Sequence, residues 1–70
     1  MYLKVPYRKD ESGTRSTSTE EVQAALPKDM SGLTVDTALN FPCVEFPQGA
    51  TYEDYQRIQQ LLMECGFEAY

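Results

Sequence analysis

Residues 51–67 read TYEDYQRIQQLLMECGF. Tyr52, Tyr55, Ile58, Leu62 and Cys65 recur at intervals of three and four, with Leu61 beside them, and this is the spacing of one apolar helix stripe. Gln56, Arg57, Gln59 and Gln60 fill the opposite side. Thr51 suits the N-cap because its hydroxyl accepts an orphan backbone N–H, and Asp54 places a negative charge at the positive end of the helix. Gly66 suits the residue just past the helix, where positive φ is favoured, and Phe67 folds back onto the last turn. A helix with one apolar stripe needs a surface to cover, and the rest of the chain is read for that surface.

Three short segments alternate at the period of a strand. In residues 33–39, LTVDTAL, the residues Leu33, Val35, Thr37 and Leu39 oppose Thr34, Asp36 and Ala38. Residues 43–46, CVEF, follow after Asn40 and Pro42 and are close enough to pair with 33–39 as a hairpin. Residues 1–7 place Leu3, Val5 and Tyr7 on one face and Tyr2, Lys4 and Pro6 on the other. Pro6 lacks the N–H of a ladder, so it belongs at a strand end or edge. Ser18-Thr19-Glu20-Glu21 reads as a capping box, with Val22, Ala25 and Leu26 at helical spacing and Pro27 ending a short helix. Residues 67–70 form a last, short strand. Residues 8–19, RKDESGTRSTST, hold no apolar side chain and read as a mobile loop within a single 1–70 domain.

The order β-α-β-β-α-β predicts an α+β fold of the small, ferredoxin-like split βαβ type, an antiparallel sheet with two helices on one face. The handedness of βαβ crossovers then makes 1–7 and 43–46 the central strands and 33–39 and 67–70 the edges. Leu3, Val5, Val35, Val44 and Phe46 are expected to face Val22, Leu26, Ile58 and Leu62.

Composition restricts the chemistry. The 70 residues contain no His, which removes His-based nucleophile activation, His general bases and His-containing zinc sites. Two cysteines, Cys43 and Cys65, are too few for an all-thiolate tetrahedral metal site. The expectation is two reduced thiols in a cytoplasmic protein, with no catalytic residues, no metal and no cofactor. Lys plus Arg is 6 against 11 for Asp plus Glu, a net charge of −5, which argues against tracking a phosphate backbone. No apolar run approaches the ~20 residues that span a bilayer, so no membrane partner is expected. The basic residues gather early: Lys4, Arg8, Lys9 and Arg15 against Asp10 and Glu11 make residues 1–16 net +2 and leave −7 for the remainder.

An acidic chain without catalytic groups is expected to work by docking on another protein, one with a basic surface, as a regulatory protein or inhibitor, including of a nucleic-acid enzyme. The acidic surface is assigned to Asp36, Glu45, Glu53, Asp54, Glu64 and Glu68, with Tyr2 and Tyr70 as anchors, because Tyr offers a large flat body and a hydroxyl at interfaces. Direct nucleic-acid binding is not expected, since Asp36 and Glu45 would flank any base on the open sheet face. Two alternatives are a homodimer or other homo-oligomer formed through the open sheet face or edges, and a metal-dependent phosphodiesterase built on Asp10.

Overall fold

The computed structural model describes residues 1–37 and 40–70. Its order is β1 (Tyr2–Lys4), β2 (Tyr7–Asp10), β3 (Gly13–Ser16), α1 (Thr19–Ala25), β4 (Thr34–Asp36), β5 (Cys43–Glu45), α2 (Tyr52–Glu64) and β6 (Phe67–Glu68). The molecule is a small α+β domain with two antiparallel three-stranded sheets, ordered β1-β5-β4 and β3-β2-β6, and two helices.

Both helices start as their sequences dictate. Ser18 and Thr51 each accept the backbone N–H of the residue three on, and Glu21 and Asp54 accept the cap residue's own N–H in return. Helix α1 ends at Ala25, two residues before Pro27. In α2 only Ile58 and Leu62 are fully buried, while Tyr55 and Leu61 are half-buried and Tyr52 and Cys65 are exposed, so the apolar stripe is narrower than its spacing suggests. Ile58 and Leu62 join Leu3, Val5, Val22, Leu26, Val44, Phe46, Phe67 and Ala69 in one core, with Tyr55 and Leu61 packed against it, which places both helices on the Leu3–Val44 side of the sheet.

The β4–β5 hairpin pairs Thr34 with Glu45, Val35 with Val44 and Asp36 with Cys43. Strand β5 continues into β1 through Leu3–Val44. The expected strand at 33–39 is shorter here, and its residues 38 and 39 lie outside the described residues.

Two expectations need correction. The stretch 8–19, expected as a loop, carries a hairpin: Tyr7–Asp10 pairs with Gly13–Ser16 in full register, followed by the start of α1. Asp10 nucleates the turn by accepting the Ser12 backbone N–H (2.9 Å) and hydroxyl (3.0 Å), and Gly13 takes φ +114. The strand expected over 1–7 is also interrupted. Lys4 pairs with Tyr70 through both backbone bonds, yet Tyr7 pairs with Glu68, so Val5 and Pro6 together oppose Ala69 alone. This is a β-bulge at the residue that lacks an N–H. A bulge shifts the alternation by one residue, so Tyr7 leaves the side of Leu3 and Val5.

Thr17 holds the bulge. Its N–H donates to the Pro6 carbonyl (3.2 Å) and its hydroxyl to the Val5 carbonyl. Val5 donates its N–H to Pro42 (2.9 Å), but Pro42 has no N–H to return, and the Thr17 hydroxyl supplies the missing donor.

A candidate docking face on the open side of the sheet

The residues between the core positions point away from both helices. Register places them in rows across the strands. Thr34, Glu45 and Tyr2 form one row; Asp36, Cys43, Lys4 and Tyr70 form the next. Past the bulge, Glu68, Tyr7 and Ser16 form a third. Opposed side chains in such rows lie about 5 Å apart at Cβ, so the rows make one contiguous face.

Three tyrosines dominate this face. Tyr2 is 55% exposed, Tyr7 44% and Tyr70 56%. The Lys4 ammonium lies 6.0 Å from the centre of the Tyr70 ring, a cation–π distance. Lys9 Nζ approaches Glu68 to 4.0 Å, an exposed and weak pair. Cys43 is buried between Asp36 and Lys4, and its Sγ lies 3.7 Å from the Phe41 carbonyl. Burial first, then the Asp36 charge, pushes its thiol pKa up, so it stays protonated and unreactive at neutral pH. Neither Cys43 nor Cys65 is bonded to the other.

The face unites five of the eight expected site residues: Tyr2, Asp36, Glu45, Glu68 and Tyr70. The other three lie on α2, against the opposite side of the sheet. Asp54 is the capping-box carboxylate, Glu64 accepts from Gln60 (3.3 Å), and Glu53 is exposed in the first turn. One acidic docking surface spanning all eight is therefore not formed. Tyr7 and Lys9 belong to the face and were not assigned to it from the sequence, whereas alternation already set Lys4 beside Tyr2. Pro6 was the available signal for Tyr7, since a proline inside a strand marks a bulge and hence a change of side.

Charge is distributed unevenly. At the junction of the hairpin and α1, Arg15 donates to Asp10 (3.0 Å) and through both terminal nitrogens to Glu21, while Arg8 lies 3.7 Å from Glu21. The Arg15 guanidinium, then the Ser18 N–H, holds the Glu21 carboxyl down at about 2. Ser12 and Arg15 likewise lower Asp10, which is thereby committed to the turn. Arg57 pairs with Asp29 (3.1 Å) on the helical side. Of six basic side chains, Arg8, Lys9, Arg15 and Arg57 are in salt bridges, leaving Lys4 and Lys28. Of eleven carboxylates, Asp10, Glu21, Asp29 and Glu68 are paired, leaving seven without a salt-bridge partner among the described residues. The surplus negative charge is thus unneutralised and on the surface.

No family model, curated protein or solved structure matches this chain. Among the described residues no three Cys, Asp or Glu side chains gather as a metal site, and no helix is long and apolar enough to cross a membrane. What the open face offers is flat aromatic area bordered by charge, the composition of a protein interface.

Proposed function

We propose that this chain is a protein-docking module whose open sheet face binds a partner with a basic surface, acting on that partner as a regulator or inhibitor. The observation that carries the reading is the clustering of Tyr2, Tyr7 and Tyr70 on one face, each about half exposed, in a molecule where seven carboxylates have no salt-bridge partner among the described residues. The tyrosines supply buried area on contact, and the charge surplus steers a cationic partner at low salt. We also read the architecture as a split βαβ sandwich enlarged by the 7–16 hairpin. The neighbours of β1, with β5 on one side and Tyr70 on the other, support that reading.

The test is capture from a native lysate on the immobilised full chain, compared with a Tyr2→Ser/Tyr7→Ser/Tyr70→Ser bait, at low and at high salt. A basic protein retained only by the wild type, and released by salt, is the expected result. Equal capture by both baits, or recovery of the chain as self-assemblies alone in sedimentation, overturns it.

A further inference from the structure

Arg8 and Arg15 stand directly opposite one another in the 7–16 hairpin, a like-charge pair across two strands that bury almost nothing. Like charges set opposite each other destabilise an antiparallel pair. The attraction that offsets this comes from α1. Glu21 accepts from both terminal nitrogens of Arg15 and lies 3.7 Å from Arg8, so one carboxylate bridges the two guanidiniums. Asp10 adds a bond to Arg15 (3.0 Å) and pairs with no other base among the described residues. Of the three bridged side chains Glu21 is the least exposed, at 24% against 35% for Arg8 and 46% for Arg15.

The two strands differ in what else holds them. On its far side β2 pairs with β6, Tyr7 with Glu68 and Arg8 with Phe67, and Lys9 donates to the Gly66 carbonyl (2.8 Å). Strand β3 lies at the end of the order β3-β2-β6, and all four of its residues are exposed. Its ends are set by the turn glycine Gly13 at φ +114 and by Thr17, tied to the Pro6 carbonyl (3.2 Å) and the Val5 carbonyl. Gly13–Ser16 can therefore leave β2 between these two points without drawing any buried side chain from the core. The Lys9 N–H turns to β6, so by alternation the Arg8 N–H turns to β3 and exchanges bonds with Arg15.

We propose that β3 is a releasable strand, latched by Glu21 across the opposed Arg8–Arg15 pair, which opens when that carboxylate is screened by salt while β2 stays in the sheet. Opening unpairs the outer edge of β2 and frees the Arg15 guanidinium from α1. Regions with few buried contacts and solvent-exposed backbone bonds are those that open locally below the global unfolding free energy. The proposal is independent of the docking reading, since it concerns the helical side of the hairpin.

The test is amide hydrogen exchange on the full ¹⁵N-labelled chain in about 0.01 M and about 1 M NaCl, where the screening length is about 30 Å and about 3 Å. At high salt the Arg8 and Arg15 amides of the wild type should exchange about threefold to tenfold faster. The Lys9 amide, bonded to Gly66, and the Ile58 and Leu62 amides should keep their rates. Glu21→Gln removes the charge but can still return the capping-box bond, so it should open β3 at low salt with α1 intact. Adding Arg8→Gln removes the repulsion and should slow the Arg15 amide again. Acceleration of Lys9 together with Arg8, an Arg15 amide indifferent to salt, or no slowing in the double variant overturns the proposal. The wild-type salt series decides it even if Glu21→Gln fails to fold.

Discussion

Replacing Thr17 with Val tests whether the 7–16 hairpin is anchored to the core as the bulge geometry requires. The Val5 carbonyl sits opposite Pro42, which cannot donate to it, and the Thr17 hydroxyl is the donor that it finds. Val keeps the shape of Thr and removes that donor. A buried acceptor left unpaired costs about 1–3 kcal/mol, and Thr17 is half-buried, so about 1–2 kcal/mol is expected. In a domain of this size each kcal/mol moves Tm by about 4–8 °C, which puts the loss at roughly 5–15 °C. Urea unfolding followed by circular dichroism should show a lower midpoint with an unchanged slope. Thr17→Ser keeps the hydroxyl and should recover most of the loss. A Val variant as stable as wild type, or a Ser variant as destabilised as Val, would refute the argument, because either result assigns the stability to the methyl group instead of the hydrogen bond.

Other perturbations probe the remaining parts of the fold. Ile58→Ala opens a cavity between α2 and the sheet and should cost about 2–5 kcal/mol, read from the urea midpoint. A chain of this length holds only roughly 4–10 kcal/mol in total, so this variant should be partly unfolded near body temperature. Gly66→Ala forces a Cβ to 2.9 Å from the Lys9 carbonyl at φ +94 and should cost about 1–3 kcal/mol, with faster amide exchange at Lys9. Glu21 is held at about 2 in the folded state against an ordinary 4.5, so the folded form binds fewer protons there. Its stabilising contribution is complete above pH 4.5 and lost as the pH falls toward 2. Glu21→Gln should therefore be less stable than wild type at pH 7 and flatter in stability across that acid window.

The legible parts of this chain were those whose local signals agree with their burial. Residues 51–66 carry a cap, a stripe and a C-terminal glycine, and the helix runs from Tyr52 to Glu64. The Ser18 capping box and the 34–45 hairpin were legible for the same reason. The 7–16 hairpin was not, because it buries almost nothing. Its strands read YRKD and GTRS, so hydrophobic alternation is silent. Its only signals are turn chemistry, with Asp10 first and Gly13 fourth in a tight turn, and the alternation of charge with Thr and Ser. The open face was half legible. Asp36 and Glu45 were placed on it by counting in twos, and the same counting put Tyr7 on the wrong side because it ran through Pro6.

That single misplacement explains why the open face is richer in tyrosine than its sequence suggests. Without the bulge, Tyr7 would extend the Leu3–Val5 row on the helical side, where its hydroxyl would need a buried partner, and the hairpin arginines would point to the open face. With the bulge, Tyr7 joins Tyr2 and Tyr70 outside, while Arg8 turns to the helical side, 4.8 Å over the Phe67 ring and within reach of Glu21. Arg8 and Arg15 are thereby neutralised by α1, although they belong to the one net-positive stretch of the chain. One extra residue in a strand thus does two things at once. It moves aromatic area outward, and it draws positive charge to the helical side, so that the open side presents tyrosine and carboxylate with Lys4 and the loosely paired Lys9 as the basic side chains among the described residues.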